Sequence, residues 1–94
     1  MRLSAVIILV FILSPLAMAK QPAKLALCAA CHGTKGIGTQ DKYPNLAGQK
    51  KIYLVSSMKA YKSGARKNKE MQPMAAVLTD KDIEELATYF SKLK

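Results

Sequence analysis

At 94 residues the chain has room for one domain and no more. Its 15 Lys+Arg against 6 Asp+Glu give a formal charge of +9, with half of the residues apolar. That excess favours anionic partners, and with no nucleic-acid-binding motif in the sequence it points to acidic proteins or an anionic membrane first.

Residues 1–19 read as an export signal. Met1-Arg2 gives a short positive start, residues 6–13 are an unbroken apolar run, and Ser14-Pro15 breaks it. Ala17-Met18-Ala19 then fits the small-residue cleavage rule. The run is well short of the roughly 20 apolar residues a spanning helix needs. No cysteine near the cleavage point offers a lipid anchor. Cleavage after Ala19 would leave residues 20–94 in the periplasm. Removing Arg2 with the signal lowers the charge of +9 to +8, and export sets nucleic acid aside. A mature domain this small buries little core and needs a staple: a disulfide, a metal or a bulky cofactor.

Within residues 20–94 three helices are expected. Residues 22–31 form a short one, with Pro22 suited to its start. Residues 49–63 carry Leu54, Val55, Met58 and Tyr61 as an apolar stripe, with Gly64 as the C-terminal cap. The last helix starts at Thr79 as N-cap, with Asp80, Asp82, Glu84 and Glu85 near the positive end of its dipole. Ile83, Leu86, Ala87, Phe90 and Leu93 fall on one face, and Lys92 and Lys94 sit at the negative end. Stretches 33–48 and 65–76, rich in Gly and Lys, are expected as connections. No alternating strand pattern appears. The class is all-α, and three helices of this size need something else to pack around.

The chain's two Cys and its single His all lie in Cys28-Ala29-Ala30-Cys31-His32. On a helical turn these positions, i, i+3 and i+4, share a face. Two thiols can then add to the two vinyl groups of one haem while the adjacent imidazole reaches the iron, so C-x-x-C-H reads as an attachment site for one covalent haem c. A structural zinc site needs four ligands, and only three are present. A thioredoxin-like pair belongs in a βαβ context that the sequence lacks. A plain disulfide would leave His32 and the missing core unexplained.

With no second His, the sixth iron ligand must come from Met58, Met71 or Met74. Met58 lies on the apolar helix stripe and fits core packing better. Met71 and Met74 both sit in the connection before the last helix, and periodicity does not choose between them.

The residues after Leu27 resemble a class I c-type cytochrome, of the small bacterial monohaem c553-like type and similar to a single domain of the dihaem cytochrome c4. The resemblance rests on Cys-Ala-Ala-Cys-His-Gly at 28–33, Tyr-Pro-Asn-Leu-Ala-Gly-Gln at 43–49 and Tyr-Lys-Ser-Gly-Ala-Arg at 61–66. It continues through Met-Gln-Pro-Met-Ala-Ala-Val-Leu-Thr-Asp at 71–80 and Ile-Glu-Glu-Leu-Ala-Thr-Tyr-Phe at 83–90. It implies a class I cytochrome c fold, three main short helices wrapped around the haem. Aligned on Leu78-Thr79-Asp80, the family's axial methionine falls at Met71. The family's proline after the haem motif, whose carbonyl takes the N–H of the axial histidine, falls at Pro44. Asn45 and Leu46 would follow along the haem wall, and Tyr53 is either a partner of a haem propionate or a half-buried core residue. The first helix is shorter than is usual in the family, so its crossing with the last should be thin, made mostly by Leu25 and Leu27 against Phe90 and Leu93.

The function this implies is one-electron transfer between Fe(II) and Fe(III) with His32 and Met71 as axial ligands, by a carrier that is not itself an enzyme. Its partners would be redox proteins with acidic docking surfaces, met by Lys35, Lys42, Lys50, Lys51, Arg66, Lys67 and Lys69. Neither nucleic acid nor, after signal cleavage, stable membrane insertion belongs to this reading. A second reading is the cytochrome subunit of a redox enzyme complex, since the 61–74 stretch also resembles that subunit of flavocytochrome c sulfide dehydrogenase. A third is gas binding or peroxide chemistry on an open iron. It needs a polar distal donor, and Arg66 is the sole candidate nearby.

Overall fold

The computed structural model describes residues 4–9 and 21–94; the expected cleavage point after Ala19 lies outside them. Residues 4–9 have no regular secondary structure. Their apolar side chains Val6, Ile7, Ile8 and Leu9 are 70–84% exposed. The rest is all-helical: α1 Leu25–His32, α2 Lys51–Ser63, α3 Met71–Ala76 and α4 Asp80–Lys92.

α4 is the organising helix. Its Thr79 hydroxyl accepts from the Asp82 N–H at 3.1 Å, and the Asp82 carboxylate accepts from the Thr79 N–H at 2.9 Å. This reciprocal capping box satisfies two helix-end donors at once. The expected apolar face is the buried one: Ile83, Leu86, Ala87 and Phe90 are all at most 2% exposed. They join Leu25, Leu54 and Leu78 in the core, with Met58, Tyr89 and Leu93 partly buried against it. Tyr89 and Phe90 meet edge to face, centroids 5.2 Å apart. α2 packs on both α4 and α3. Lys51 is ion-paired with Glu84 across the first of these contacts, and the Lys62 ammonium donates to the Leu78 carbonyl near the second.

Two boundaries and one element differ from expectation. α1 begins at Leu25, after a turn in which the Leu25 N–H donates to the Pro22 carbonyl at 3.0 Å; Pro22 therefore precedes the helix by a turn. The connection expected at 65–76 contains the six-residue α3. A helix this short shows no readable period. Pro73 does not break it, because the first turn has no internal partner for its N–H groups and the missing donor costs nothing there. The contact between the first and last helices is also divided differently. Leu25 is 4% exposed and lies in the core, whereas Leu27 is 36% exposed and faces the central cavity described below.

Asp82, half-buried and bonded to the Thr79 N–H, is held below the usual carboxylate range by that bond. A carboxylate depressed in the folded state stabilises it above the unfolded pKa, and the stabilisation fades as pH falls through the folded value. Asp82→Ala should therefore lower the thermal midpoint at pH 7. The gap to wild type should close below about pH 4, where the carboxylate begins to protonate. Melting curves from pH 7 to pH 2 would check this.

Candidate functional site

The helices enclose a cavity of about 530 Å³, within the range of small-molecule and cofactor sites. Cys28, Cys31 and His32 line it, and so do Met58, Met71 and Met74. Leu46, Leu54, Leu86 and Phe90 make much of the wall apolar.

His32 is the buried polar residue of the described chain, at 7% exposure. Its Nδ1 lies 2.8 Å from the Pro44 carbonyl oxygen. A carbonyl only accepts, so Nδ1 carries the proton and Nε2 keeps the lone pair. The intervening loop is built to present that carbonyl. The Gly36 carbonyl accepts from Leu46 and Ala47 at 2.8 and 3.0 Å, and the Asn45 side chain accepts from the Gly38 N–H at 2.8 Å. The Thr39 N–H donates to the Cys31 carbonyl at 2.9 Å, and the Tyr89 hydroxyl donates to the Thr34 carbonyl at 2.5 Å. Gly33, immediately after His32, has φ 80°, and a Cβ there would lie 2.2 Å from the Ile37 carbonyl oxygen. No other residue allows the chain to leave α1 this way.

Cys28 and Cys31 are free thiols, each half-buried. Burial first, and then the neighbouring Cys31, push the Cys28 thiol up to about 11, so it stays protonated at neutral pH. Among the described residues, no group of three His, Cys, Asp or Glu side chains gathers into a metal-binding cluster. The donor set instead suits a large, mostly apolar ligand held by two thiols and one imidazole, and a haem is such a ligand.

α3, which also lines the cavity, is positioned by Asn68. Its Oδ1 accepts from the backbone N–H groups of Glu70 and Met71, both at 2.9 Å, and the Gln72 side chain accepts from the Asn68 N–H at 3.1 Å. Asn68 thus caps the helix that carries Met71 and Met74. Asparagine just ahead of a helix is a recognisable cap, but with α3 read as a loop the signal has no helix to attach to. Met71 is half-buried, and Met74 is 40% exposed. Asn45 and Leu46 line the cavity as expected, and Tyr53 lines it too, 47% exposed and not among the residues packed in the core cluster.

The basic residues separate into groups. Lys42 lies 3.6 Å from Glu70, with its ammonium 5.0 Å from the Tyr43 ring centroid. Hydrogen bonding to Tyr43 and the Glu70 charge hold Lys42 above its usual range. Lys51 is paired with Glu84. Lys35, Lys50, Lys67 and Lys69 are exposed, and no ion pair among the described residues includes them. Arg66 lines the cavity.

Residues 18–94 match the family model described as Cytochrome c. The chain belongs to the cytochrome c family. It is 51% identical over 71 residues to cytochrome c-554(548) of Halomonas halodenitrificans, covering 72% of this chain and 86% of that protein. It is 40% identical to cytochrome c4 of Pseudomonas aeruginosa, covering 77% of this chain and 36% of the relative. A thiosulfate dehydrogenase electron acceptor of Thiomonas intermedia is 42% identical over 86% of this chain and 38% of that protein. The crystal structure of reduced cytochrome c4 from Pseudomonas stutzeri superposes with a TM-score of 0.66 at 34% identity, covering 71% of this chain and 38% of that one. The chain therefore spans most of cytochrome c-554(548) but little more than a third of the cytochrome c4 proteins. Its fold is the class I cytochrome c fold, and it is a monohaem electron-transfer cytochrome. Its cofactor is covalent haem c, with Cys28 and Cys31 in the C-x-x-C-H spacing before His32. Among the described residues no helix is long and apolar enough to cross a membrane.

Two outcomes follow for the cytochrome. With so few fully buried apolar residues around a cavity of this size, a Cys28→Ala/Cys31→Ala chain, unable to hold haem covalently, should lack a cooperative thermal transition near that of the holoprotein, as followed by circular dichroism. Asn68→Ala should weaken α3 by about 1 kcal/mol, seen as faster hydrogen exchange at the Glu70 and Met71 amides.

Proposed function

We propose that residues 1–19 are removed on export and that residues 20–94 form a periplasmic electron carrier, with Cys28 and Cys31 as the thioether links and His32 and Met71 as the axial ligands. The observation that carries this is the buried imidazole of His32, its Nδ1 committed to the Pro44 carbonyl, on the wall of a cavity that Met71 also lines. Bound haem supplies a one-electron Fe(II)/Fe(III) couple. The protein's part is to keep both ligands in place through the cycle. The Pro44 carbonyl holds the ring orientation and raises the basicity of Nε2. Asn68 fixes the start of the helix that carries the thioether. A methionine ligand raises the potential relative to a second imidazole and closes the position that oxygen chemistry would need.

Met71 is preferred to Met74 because it is the less exposed of the two and lies at the capped end of α3. The exposed apolar side chains at residues 6–9 support removal of the signal, since such a stretch is a liability on a secreted domain. Lys35, Lys50, Lys67 and Lys69 are the charges available to steer an acidic redox partner. Relatives named as thiosulfate dehydrogenase electron acceptors favour an enzyme oxidising a sulfur compound as the electron source. The second reading, a fixed subunit of such an enzyme or of a flavocytochrome c sulfide dehydrogenase, is separated by size-exclusion chromatography of native periplasm: a carrier elutes alone.

The purified periplasmic protein should have the mass of residues 20–94 plus one haem and a c-type pyridine haemochrome spectrum. In the ferric state, Met71→Ala should abolish the methionine–iron charge-transfer band and lower the midpoint potential, and the reduced variant should bind carbon monoxide. Met74→Ala should retain the band. The reverse pattern would reassign the ligand to Met74.

A further inference from the structure

The two proposed axial ligands come from separate stretches of chain. His32 is oriented by the loop 33–48 through Pro44, and Met71 starts α3. The loop is fastened to α4: the Tyr89 hydroxyl donates to the Thr34 carbonyl, and the Gly48 N–H donates to the Phe90 carbonyl at 3.1 Å. Toward the 65–76 stretch it has a single polar link. Among the hydrogen bonds and ion pairs of the described residues, Lys42 with Glu70, at 3.6 Å, is the only one that joins the two stretches.

Local structure places both partners. The Tyr43 N–H donates to the Gln40 carbonyl at 2.9 Å, and this turn carries Lys42 two residues before Pro44. The Lys42 ammonium stands 5.0 Å from the Tyr43 ring centroid, a cation–π contact that steadies a long side chain. Glu70 is the residue before Met71, and its N–H donates to the Asn68 side chain at 2.9 Å. The Glu70 carboxylate makes no cap bond to α3 and turns to Lys42 instead. Lys42, Tyr43, Glu70 and Met71 all line the cavity. The Lys42 and Glu70 side chains are still 60% and 56% exposed, so the pair lies at the rim, where the cavity wall meets solvent.

A helix of six residues is far below the length at which a helix is stable alone. What fastens its first turn therefore decides how long a thioether there stays on an iron. We infer that the Lys42–Glu70 pair is a clasp across the cavity rim that positions Met71, which makes Lys42 a positioning residue for the sixth ligand. The inference rests on the haem attachment and Met71 ligation proposed for this chain. When the clasp opens, the start of α3 loosens from the histidine side of the cavity, and the iron–sulfur bond breaks more often. An exposed ion pair is weak and is screened by salt. The clasp thus makes the hold on the sixth ligand depend on ionic strength. Lys35, in the same loop, enters no ion pair among the described residues and has no such lever.

The test is stopped-flow binding of imidazole to the ferric holoprotein, in which the iron–sulfur bond must break before an iron–nitrogen bond forms. At saturating imidazole the observed rate is that of sulfur release. Lys42→Gln should raise it roughly twofold to fivefold, the scale of an exposed ion pair, and Lys42→Arg should stay near wild type. Glu70→Gln should raise it too, and the double variant should be no faster than the faster single one. Lys35→Gln, the same charge change in the same loop, should match wild type. Added salt should speed wild type and leave Lys42→Gln nearly unchanged. Hydrogen exchange at the Met71 and Gln72 amides should quicken in Lys42→Gln. A wild-type rate in Lys42→Gln, an equal rise in Lys35→Gln, or additive effects in the double variant would overturn the inference. Should Glu70→Gln not accumulate as holoprotein, Lys42→Gln and the salt series decide it. If Met71→Ala kept the methionine–iron charge-transfer band, the ligand assignment would fall instead; unchanged exchange at the Met71 and Gln72 amides of Lys42→Gln would sink the clasp on its own.

Discussion

The hydrogen bond between His32 Nδ1 and the Pro44 carbonyl spans twelve residues of chain and fixes most of what the cavity can do. It selects the tautomer, because the carbonyl has no proton to give. It leaves Nε2 as the lone-pair nitrogen of the only imidazole in the sequence. It also needs a loop that brings a carbonyl back to the end of α1, and much of the hydrogen bonding in residues 33–48 serves that return. Gly33 lets the chain leave the helix, and Gly36, Asn45 and Thr39 close the loop on itself. Tyr89 then ties the loop to α4 through Thr34. One side-chain orientation is thus tied to α4, on which the core is built.

The same arrangement explains why so few residues are fully buried. Among the described residues only eight apolar side chains are buried, most of them on α4 or directly against it. α2 faces α4 with Leu54 and the cavity with Tyr53, Ser57 and Tyr61. A helix with two working faces does not present a clean amphipathic stripe, which is why α2 reads less clearly than α4. The cofactor fills the space that a larger domain would fill with side chains, so cofactor and core are one thing energetically. Covalent attachment through two thioethers suits such a domain, because loss of a dissociable ligand would take most of the packing with it.

This division marks what was legible in the sequence. The Cys28–His32 spacing, the capped α4 with its buried Ile83, Leu86, Ala87 and Phe90, and the end of α2 at Gly64 are local patterns of period, cap and turn, and each is found where the sequence places it. α3 was not legible, because six residues with a central proline carry no period. Its cap Asn68 was missed with it. The fate of charges was also hidden. Lys42 and Lys51 find carboxylates far away in sequence, at Glu70 and Glu84, and Leu27 turns to the cavity although its neighbour Leu25 enters the core. Such pairings depend on how elements meet in three dimensions, and no local pattern encodes them.

Those pairings bear on two electrostatic tasks that a strongly basic redox protein can serve. Tuning an iron centre needs charge that is close, fixed and shielded from salt; attracting a partner needs charge that is exposed and reaches into solvent. A single ring of lysines and arginine around the crevice would do both poorly, since every change in ionic strength would then alter the potential as well as the encounter rate. Here the cations are sorted by what surrounds them. All are exposed, but Lys42 and Lys51 are each paired with a carboxylate, Arg66 is held against Tyr61 and Ser57, and Lys35, Lys50, Lys67 and Lys69 enter no ion pair among the described residues. The short turn at Gly64 accomplishes part of that sorting: it sends Arg66 back along α2 to line the cavity, where Tyr61 and Ser57 hold it, while the next residue, Lys67, lies off the cavity wall.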